Sequence, residues 1–392
     1  MTPFYDLPRP GKDALSRSQA LSDDIRLAIH QQGGCLSFST FMELALYHSR
    51  WGYYQSPAFQ LGKQGDFITA PEISPLFARA FACQYLDLSE RLGTLPILEL
   101  GAGSGRFASD LLLELNLQDK LPPQYYIYEI SAHLRKKQHE FLQATCPHFI
   151  HRIHWLHALP SEFSGLIIAN EVLDALPVHC FKVTEEGIKE RCVTTHLNDF
   201  AWQLCPPSSD EFAEKAHYLS QQHDLWIGYE SELHLPMHHF VKKVARSLKQ
   251  GVILFVDYGY GQAEYYHPER YQGSLTCFYQ HRHHNNPLIY PGLQDISVHV
   301  DFSAVIEHAA EAGCTLLGYT TQASFLFACG LMKLAEEEEK NCSPADAFKL
   351  HQAIKILTLP TEMGERIKVM AIGKEVEIDL LGFGLQDRCR DL

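Results

Sequence analysis

The chain has 392 residues, 46% of them hydrophobic and 20% charged, proportions of a globular enzyme with one large domain and attachments, or with two domains. A formal net charge of −14 argues against a broad nucleic-acid-binding face, since neutralising phosphates takes clustered Lys and Arg, and it suits a neutral or basic partner. Eleven cysteines without a C-x-x-C spacing read as reduced, mostly buried thiols rather than a disulfide framework or zinc ribbon.

Residues 16–93 carry helical periodicity and read as an all-helical cap spanning 1–93. Within it Ser39 is placed to cap a short helix, 62–71 is a loop, and a long helix covers 74–91. The start of the chain lacks the basic and apolar regions of a signal peptide and the Arg-rich character of a mitochondrial presequence. No apolar run approaches the roughly 18 residues that suggest a membrane span. The expected location is therefore the cytoplasm of a bacterial-type cell.

From 94 to 392 the chain reads as a catalytic domain. Strands are predicted at 96–100, 125–130, 150–156, 166–170 and 252–257, with helices between them over 106–115 and up to 143. Short apolar strands separated by helices imply an α/β fold with a parallel sheet covered on both faces. An insertion at about 178–250 precedes the fifth strand; it begins strand-like, as at Phe181-Lys182-Val183, and is largely helical over 210–249. A loop rich in Tyr, His, Asn and Gly follows over 258–300, a length usually retained for function. Strands near 316–320 and 367–372 complete the sheet.

The strongest chemical signal is Leu98-Glu99-Leu100-Gly101-Ala102-Gly103-Ser104-Gly105-Arg106, between the first strand and its helix. Glycines there let backbone approach a ligand, and a helix N-terminus favours an anionic group. Glu129 ends the second strand, where an acid accepts hydrogen bonds from both hydroxyls of a ribose. The spacing G-x-G-x-G also lacks the third glycine position of the dinucleotide fingerprint. Together these features favour S-adenosylmethionine over NAD, with Gly101, Gly103 and Gly105 at its carboxylate, Glu99 at its ammonium and Glu129 at its sugar. Alone, the glycine turn also serves as a purely structural one.

The fourth strand ends in Ala169-Asn170-Glu171-Val172-Leu173-Asp174-Ala175-Leu176-Pro177, which puts an amide and two carboxylates at the same sheet edge. Such groups orient a nucleophile for attack on a sulfonium methyl, and with a guanidinium acceptor they can pair bidentately. Asp174 reads equally as a helix cap, with Glu171 as its dipole partner. His148, His151, His154 and His157 alternate across a predicted strand, and His281, His283 and His284 lack a carboxylate at ligand spacing, so no metal is expected at either place.

Several separated segments resemble the MidA-like methyltransferases, a family that includes mitochondrial assembly-factor methyltransferases of respiratory complex I. They include Trp51-Gly52-Tyr53-Tyr54, Gly65-Asp66-Phe67-Ile68-Thr69-Ala70-Pro71-Glu72-Ile73-Ser74, the glycine turn, Tyr128-Glu129-Ile130-Ser131 and the Asn170–Pro177 segment. Val256-Asp257-Tyr258-Gly259, a segment over 292–302 and Met363-Gly364-Glu365-Arg366 follow in the same order. The resemblance implies a class I methyltransferase with a Rossmann-like sheet, acting on protein arginine. By position it puts Asp66, Thr69 and Glu72 beside the donor pocket, with Asn170, Glu171 and Asp174 near the transferred methyl. This chain has Gly101-Ala102-Gly103-Ser104-Gly105 where the family often reads G-P-G-R-G. Besides a protein substrate, two other readings stay open: a small-molecule methyltransferase, or a non-catalytic assembly factor that binds S-adenosylmethionine for stability.

Overall fold

A computed structural model describes residues 7–56, 68–340 and 342–392. Its central sheet is built from Ile97–Leu100 (β1), Tyr125–Tyr128 (β2), Ile153–Leu156 (β3), Phe163–Asn170 (β4), Leu248–Tyr260 (β5), Thr315–Thr321 (β6) and Ile367–Lys374 (β7). The spatial order is β3-β2-β1-β4-β5-β7-β6. Strands β1 to β5 are parallel, while β7 lies antiparallel between β5 and β6. An antiparallel partner can begin at the end where its neighbour stops, so β7 needs no crossover. The expected parallel sheet is thus a mixed one at this edge.

All four residues of β1 are buried, as is Val252-Ile253-Leu254-Phe255-Val256 within β5. Burial on both faces is why these strands read as unbroken apolar runs. Flanking helices include Lys12–Gln31 (α1), Phe38–Tyr47 (α2), Pro75–Leu92 (α3), Arg106–Leu117 (α4), Ala132–Thr145 (α5), Leu235–Ser247 (α6) and Phe302–Ala310 (α7). On one face Phe77, Phe81, Phe107 and Leu111 of α3 and α4 pack into a core that includes Ile97 and Leu254. On the other, Met237 and Val241 of α6 join Phe302 and Val305 of α7 against Leu98 and Ile253. Each such side chain stabilises the fold by roughly 1.5–3 kcal/mol through its removal from water.

A second sheet is made by Leu36–Ser37, His179–Thr184, Gly187–His196, Asp199–Cys205 and Glu230–Leu233. Leu36 and Ser37 pair with Val193 and Cys192, and Leu21, Ile25, Phe38 and Phe41 share one apolar cluster with Val178 and Val193. The N-terminal helices are therefore sealed onto the insertion, while α3 packs against the central sheet.

The structure also revises several local expectations. Ser37, not Ser39, caps α2, accepting the Thr40 N–H at 3.2 Å. The strand expected at 150–156 begins only at Ile153, after a 3-10 turn at Ile150–Arg152. The helical stretch at 210–249 is interrupted by Glu230–Leu233, whose polar composition conceals a strand. There Glu232 is buried but accepts from Tyr265 Oη at 3.1 Å and from the Ser274 N–H at 2.9 Å. The predicted 258–300 loop contains a short helix, Gln262–Tyr265, and a sheet of Thr276–Tyr279, Arg282–His284 and Asp295–Ser297.

Candidate active site

The C-terminal ends of β1, β2 and β4 border a cavity of ≈ 350 Å³, large enough for a small ligand. Its wall brings together Glu99, Gly101, Gly103 and Glu129 with Thr69, Glu72, Asn170 and Glu171. Gly105 and Asp174 do not line it, and Asp66 lies outside the described residues.

Gly101, Gly103 and Gly105 have φ of +66°, +52° and +85°, a region that L side chains enter only at a cost. The turn is braced from two sides. Ser104 Oγ donates to Glu72 Oε1, and Arg106 Nε lies 3.6 Å from Glu72 Oε2, tying the 69–72 segment to the turn. From the other side Gln138 Nε2 donates to Gly103 O at 3.0 Å and to Glu129 Oε2 at 3.1 Å. Trp155 Nε1 fixes the Gln138 amide by donating to its Oε1 at 3.0 Å. Glu129, 6% exposed, also accepts the Ser131 N–H at 2.9 Å. Ser74, rather than Thr69, caps its helix through its side chain, accepting the Leu76 N–H at 3.2 Å.

Gln138 gave no spacing signal, because a glutamine on an amphipathic helix reads as surface. Gln138→Ala is expected to weaken nucleoside binding about fivefold, the effect of roughly 1 kcal/mol for one lost hydrogen-bonding group. Calorimetric titration of the variant checks this.

The acidic side is built around β4. Glu171 has a φ of +51°, unusual for a non-glycine residue, and its N–H bonds Val256 O at 2.8 Å. Its Oε1 accepts from the Ala70 N–H at 3.3 Å and from Asn170 Nδ2 at 3.2 Å. Asn170 Oδ1 is buried without a partner among the described residues, which points to a polar ligand. Asp174 Oδ2 accepts from Ser297 Oγ at 2.7 Å. No helix begins at Asp174, so the capping alternative does not hold. Instead Asp257 Oδ2 accepts the N–H groups of Val172, Leu173 and Asp174 at 3.1, 2.8 and 3.3 Å. Asp257, which in the sequence carries no signal beyond its motif, is thus the clamp that holds this turn.

Burial pushes Glu99 and Glu171 up to about 8 and Asp174 up to about 6. Tyr125 Oη, donating to Glu99 at 2.8 Å, opposes that rise, whereas Asp174 adds to that of Glu171. Burial raises Glu129 and Asp257 as well. Among the described residues, Glu171, Asp174 and Asp257 form no ion pair with Lys or Arg.

A folded carboxyl with a raised pKa keeps its proton where the unfolded chain has already lost it, so its contribution disappears as pH rises toward the folded value. Buried His234, His238 and His299, pushed down to about 3, 2 and 4 by burial, act in the opposite sense at lower pH. Lys368, lowered to about 8 by burial, opposes the carboxyls as pH approaches that value, so the range in which the carboxyls dominate is about pH 7 to 8. There the Tm of the ligand-free chain is expected to fall with pH, less steeply in Glu171→Gln, as read by thermal scans.

Tyr47 and Tyr54 also line the cavity, stacked with centroids 5.4 Å apart, and Tyr47 Oη donates to Ala175 O at 2.9 Å. Phe240 reaches it from α6 of the insertion. Tyr54 stood in a recognised motif without a role, while Tyr47 and Phe240 look like core residues of amphipathic helices.

Comparison with known proteins agrees with this geometry. The S-adenosyl-L-methionine-dependent methyltransferase family Methyltransf_28 matches residues 76–320, more than half of the chain. A Burkholderia thailandensis protein crystallised with S-adenosyl-homocysteine superposes with a TM-score of 0.93, at 38% identity, covering 99% of this chain and 100% of that one. The mitochondrial protein arginine methyltransferase NDUFAF7 of Danio rerio is 27% identical over 86% of this chain and 83% of its own. The Drosophila melanogaster homolog is 25% identical over 95% and 90%. No helix among the described residues is long and apolar enough to cross a membrane. With a sheet that carries left-handed glycines and a buried acid on adjacent strand tips, and with these relatives, the chain belongs to the MidA-like S-adenosyl-L-methionine-dependent methyltransferases and uses S-adenosylmethionine as its methyl donor.

Proposed function

We propose that the chain methylates arginine in a protein substrate. The observation that carries this reading is the cluster of half-buried Glu171 and Asp174 with buried Asp257, three carboxyls that form no ion pair with a Lys or Arg among the described residues. A guanidinium supplies the missing cation and an array of N–H donors suited to paired carboxylates. The names of the Danio rerio and Drosophila melanogaster relatives support the same acceptor.

In this reading residues 1–93 act as a cap and 94–392 as the catalytic domain, whose insertion at 178–250 adds Phe240 to the cavity. Gly101 and Gly103 take the donor's carboxylate end in a turn that Gly105 completes, Glu99 takes its ammonium and Glu129 its ribose, with Thr69 and Glu72 closing the wall. When bound, S-adenosylmethionine supplies a methyl group on an electrophilic sulfonium. Glu171 Oε1 is held by two protein donors, which leaves Oε2 for a guanidinium N–H. Asn170 Oδ1 offers a further acceptor, and Asp174 sets the local charge. A carboxyl whose pKa sits near 8 is matched to accept the proton that the attacking nitrogen must lose. The cap and insertion keep water from the reacting atoms.

Incubation of the chain with isotopically labelled donor and a proteome, followed by acid hydrolysis and mass spectrometry, tests the acceptor. The label is expected in methylated arginine. Label confined to small molecules, or to another amino acid, refutes the reading.

A further inference from the structure

Away from the cavity, three cysteines that are far apart in the chain converge. The Sγ atoms of Cys35, Cys192 and Cys205 all lie within 4.8 Å of one another, with Cys35 and Cys205 at 3.1 Å. All three are free thiols; Cys192 and Cys205 are buried and Cys35 is half-buried. Cys192 sits within the Gly187–His196 strand, Cys205 ends the adjoining Asp199–Cys205 strand, and Cys35 immediately precedes Leu36–Ser37. The 157- and 13-residue separations in the chain match no metal-binding spacing, so the sequence alone left these residues as buried thiols. Among the described residues, this is the one group of three or more Cys, His, Asp or Glu whose ligand atoms approach one another so closely.

We propose that Cys35, Cys192 and Cys205 form a three-thiolate site for a single thiophilic metal ion, Zn²⁺ or Cu⁺, that clamps the N-terminal helices to the insertion sheet. A Zn–S bond is about 2.3 Å, so sulfurs sharing one tetrahedral ion stand about 3.8 Å apart; the three need only small side-chain adjustments to reach that arrangement. Three sulfurs with no oxygen or nitrogen ligand select soft cations over Mg²⁺ or Ca²⁺. The half-buried Cys35 leaves a side from which water could complete a zinc coordination shell. The thiolate, not the thiol, is the metal ligand, so binding releases protons. The site lies at the joint that leads directly into α2, which carries Glu43 and Tyr47 to the cavity wall. It is independent of the arginine reading.

The full-length chain, reduced and stripped of metal, is titrated separately with Zn²⁺ and Cu⁺ against a chromophoric chelator. Uptake of either ion at one equivalent per chain is expected, with proton release, a higher Tm and protection of all three thiols from alkylation mapped by mass spectrometry. The ion that binds identifies the occupant. Cys35→Ser, at a half-buried position, is expected to abolish stoichiometric binding while circular dichroism and donor binding stay unchanged; Cys192→Ser should do the same to metal uptake. A Cys146→Ser control, in a cysteine outside the cluster, should retain it. Failure of both ions to bind, equal binding by Cys35→Ser, or recovery of a Cys35–Cys205 disulfide from metal-treated chain overturns the proposal.

Discussion

Glu171→Gln is expected to lower methyl transfer by a factor on the order of 10²–10³ while leaving donor affinity within a few-fold of wild type. The amide keeps the size of the side chain and an oxygen able to accept the Ala70 N–H, so the wall of the cavity is retained. What disappears is the carboxylate that the proposed function makes the proton acceptor for the incoming nucleophile. Single-turnover rates at saturating donor read this directly. The same group sets a pH dependence: with Glu171 raised to about 8 by burial, its ionised fraction grows with pH, so wild-type transfer should increase between about pH 7 and 8. That increase should be absent in the variant. An unchanged rate in Glu171→Gln would remove the carboxylate from the chemistry.

Gly101→Val should have the largest effect on donor binding. At a φ of +66° a side chain costs roughly 1–2 kcal/mol, and β-branching makes that conformation worse. A Cβ there would also lie 3.0 Å from Val172 Cγ2, in the segment that carries Glu171. The turn must move, although its Gly101 N–H bond to Tyr128 O at 2.9 Å ties it to β2. Each 1.4 kcal/mol of strain taken from the bound state is a tenfold loss of affinity, so a 10- to 100-fold weaker Kd for S-adenosyl-homocysteine is expected.

The central sheet was legible because its strands are short, apolar and buried on both faces, as in β1 and the middle of β5. The glycine turn and Glu129 were legible because they lie where those strands end. Other features depend on partners distant in the chain. Leu36–Ser37 is a strand only because Val193 and Cys192 pair with it, and Glu230–Leu233 because it pairs with the 179–182 stretch while Tyr265 and Ser274 satisfy the buried Glu232. Gln138 shows the same limit at the site: its importance arises from joining Gly103 to Glu129 in space. Asp174 was visible as an acid at the right sheet edge, but the hydrogen bonds of Asp257 decide that its backbone turns instead of starting a helix.

The most direct test of the account is calorimetric titration of the purified chain with S-adenosyl-homocysteine, run beside Gly101→Val and Glu171→Gln. One site per chain is predicted, weakened by the glycine substitution and retained by the glutamate substitution. A wild-type chain that fails to bind the nucleoside, or a Gly101→Val variant with undiminished affinity, contradicts the placement of the donor across the tips of β1 and β2.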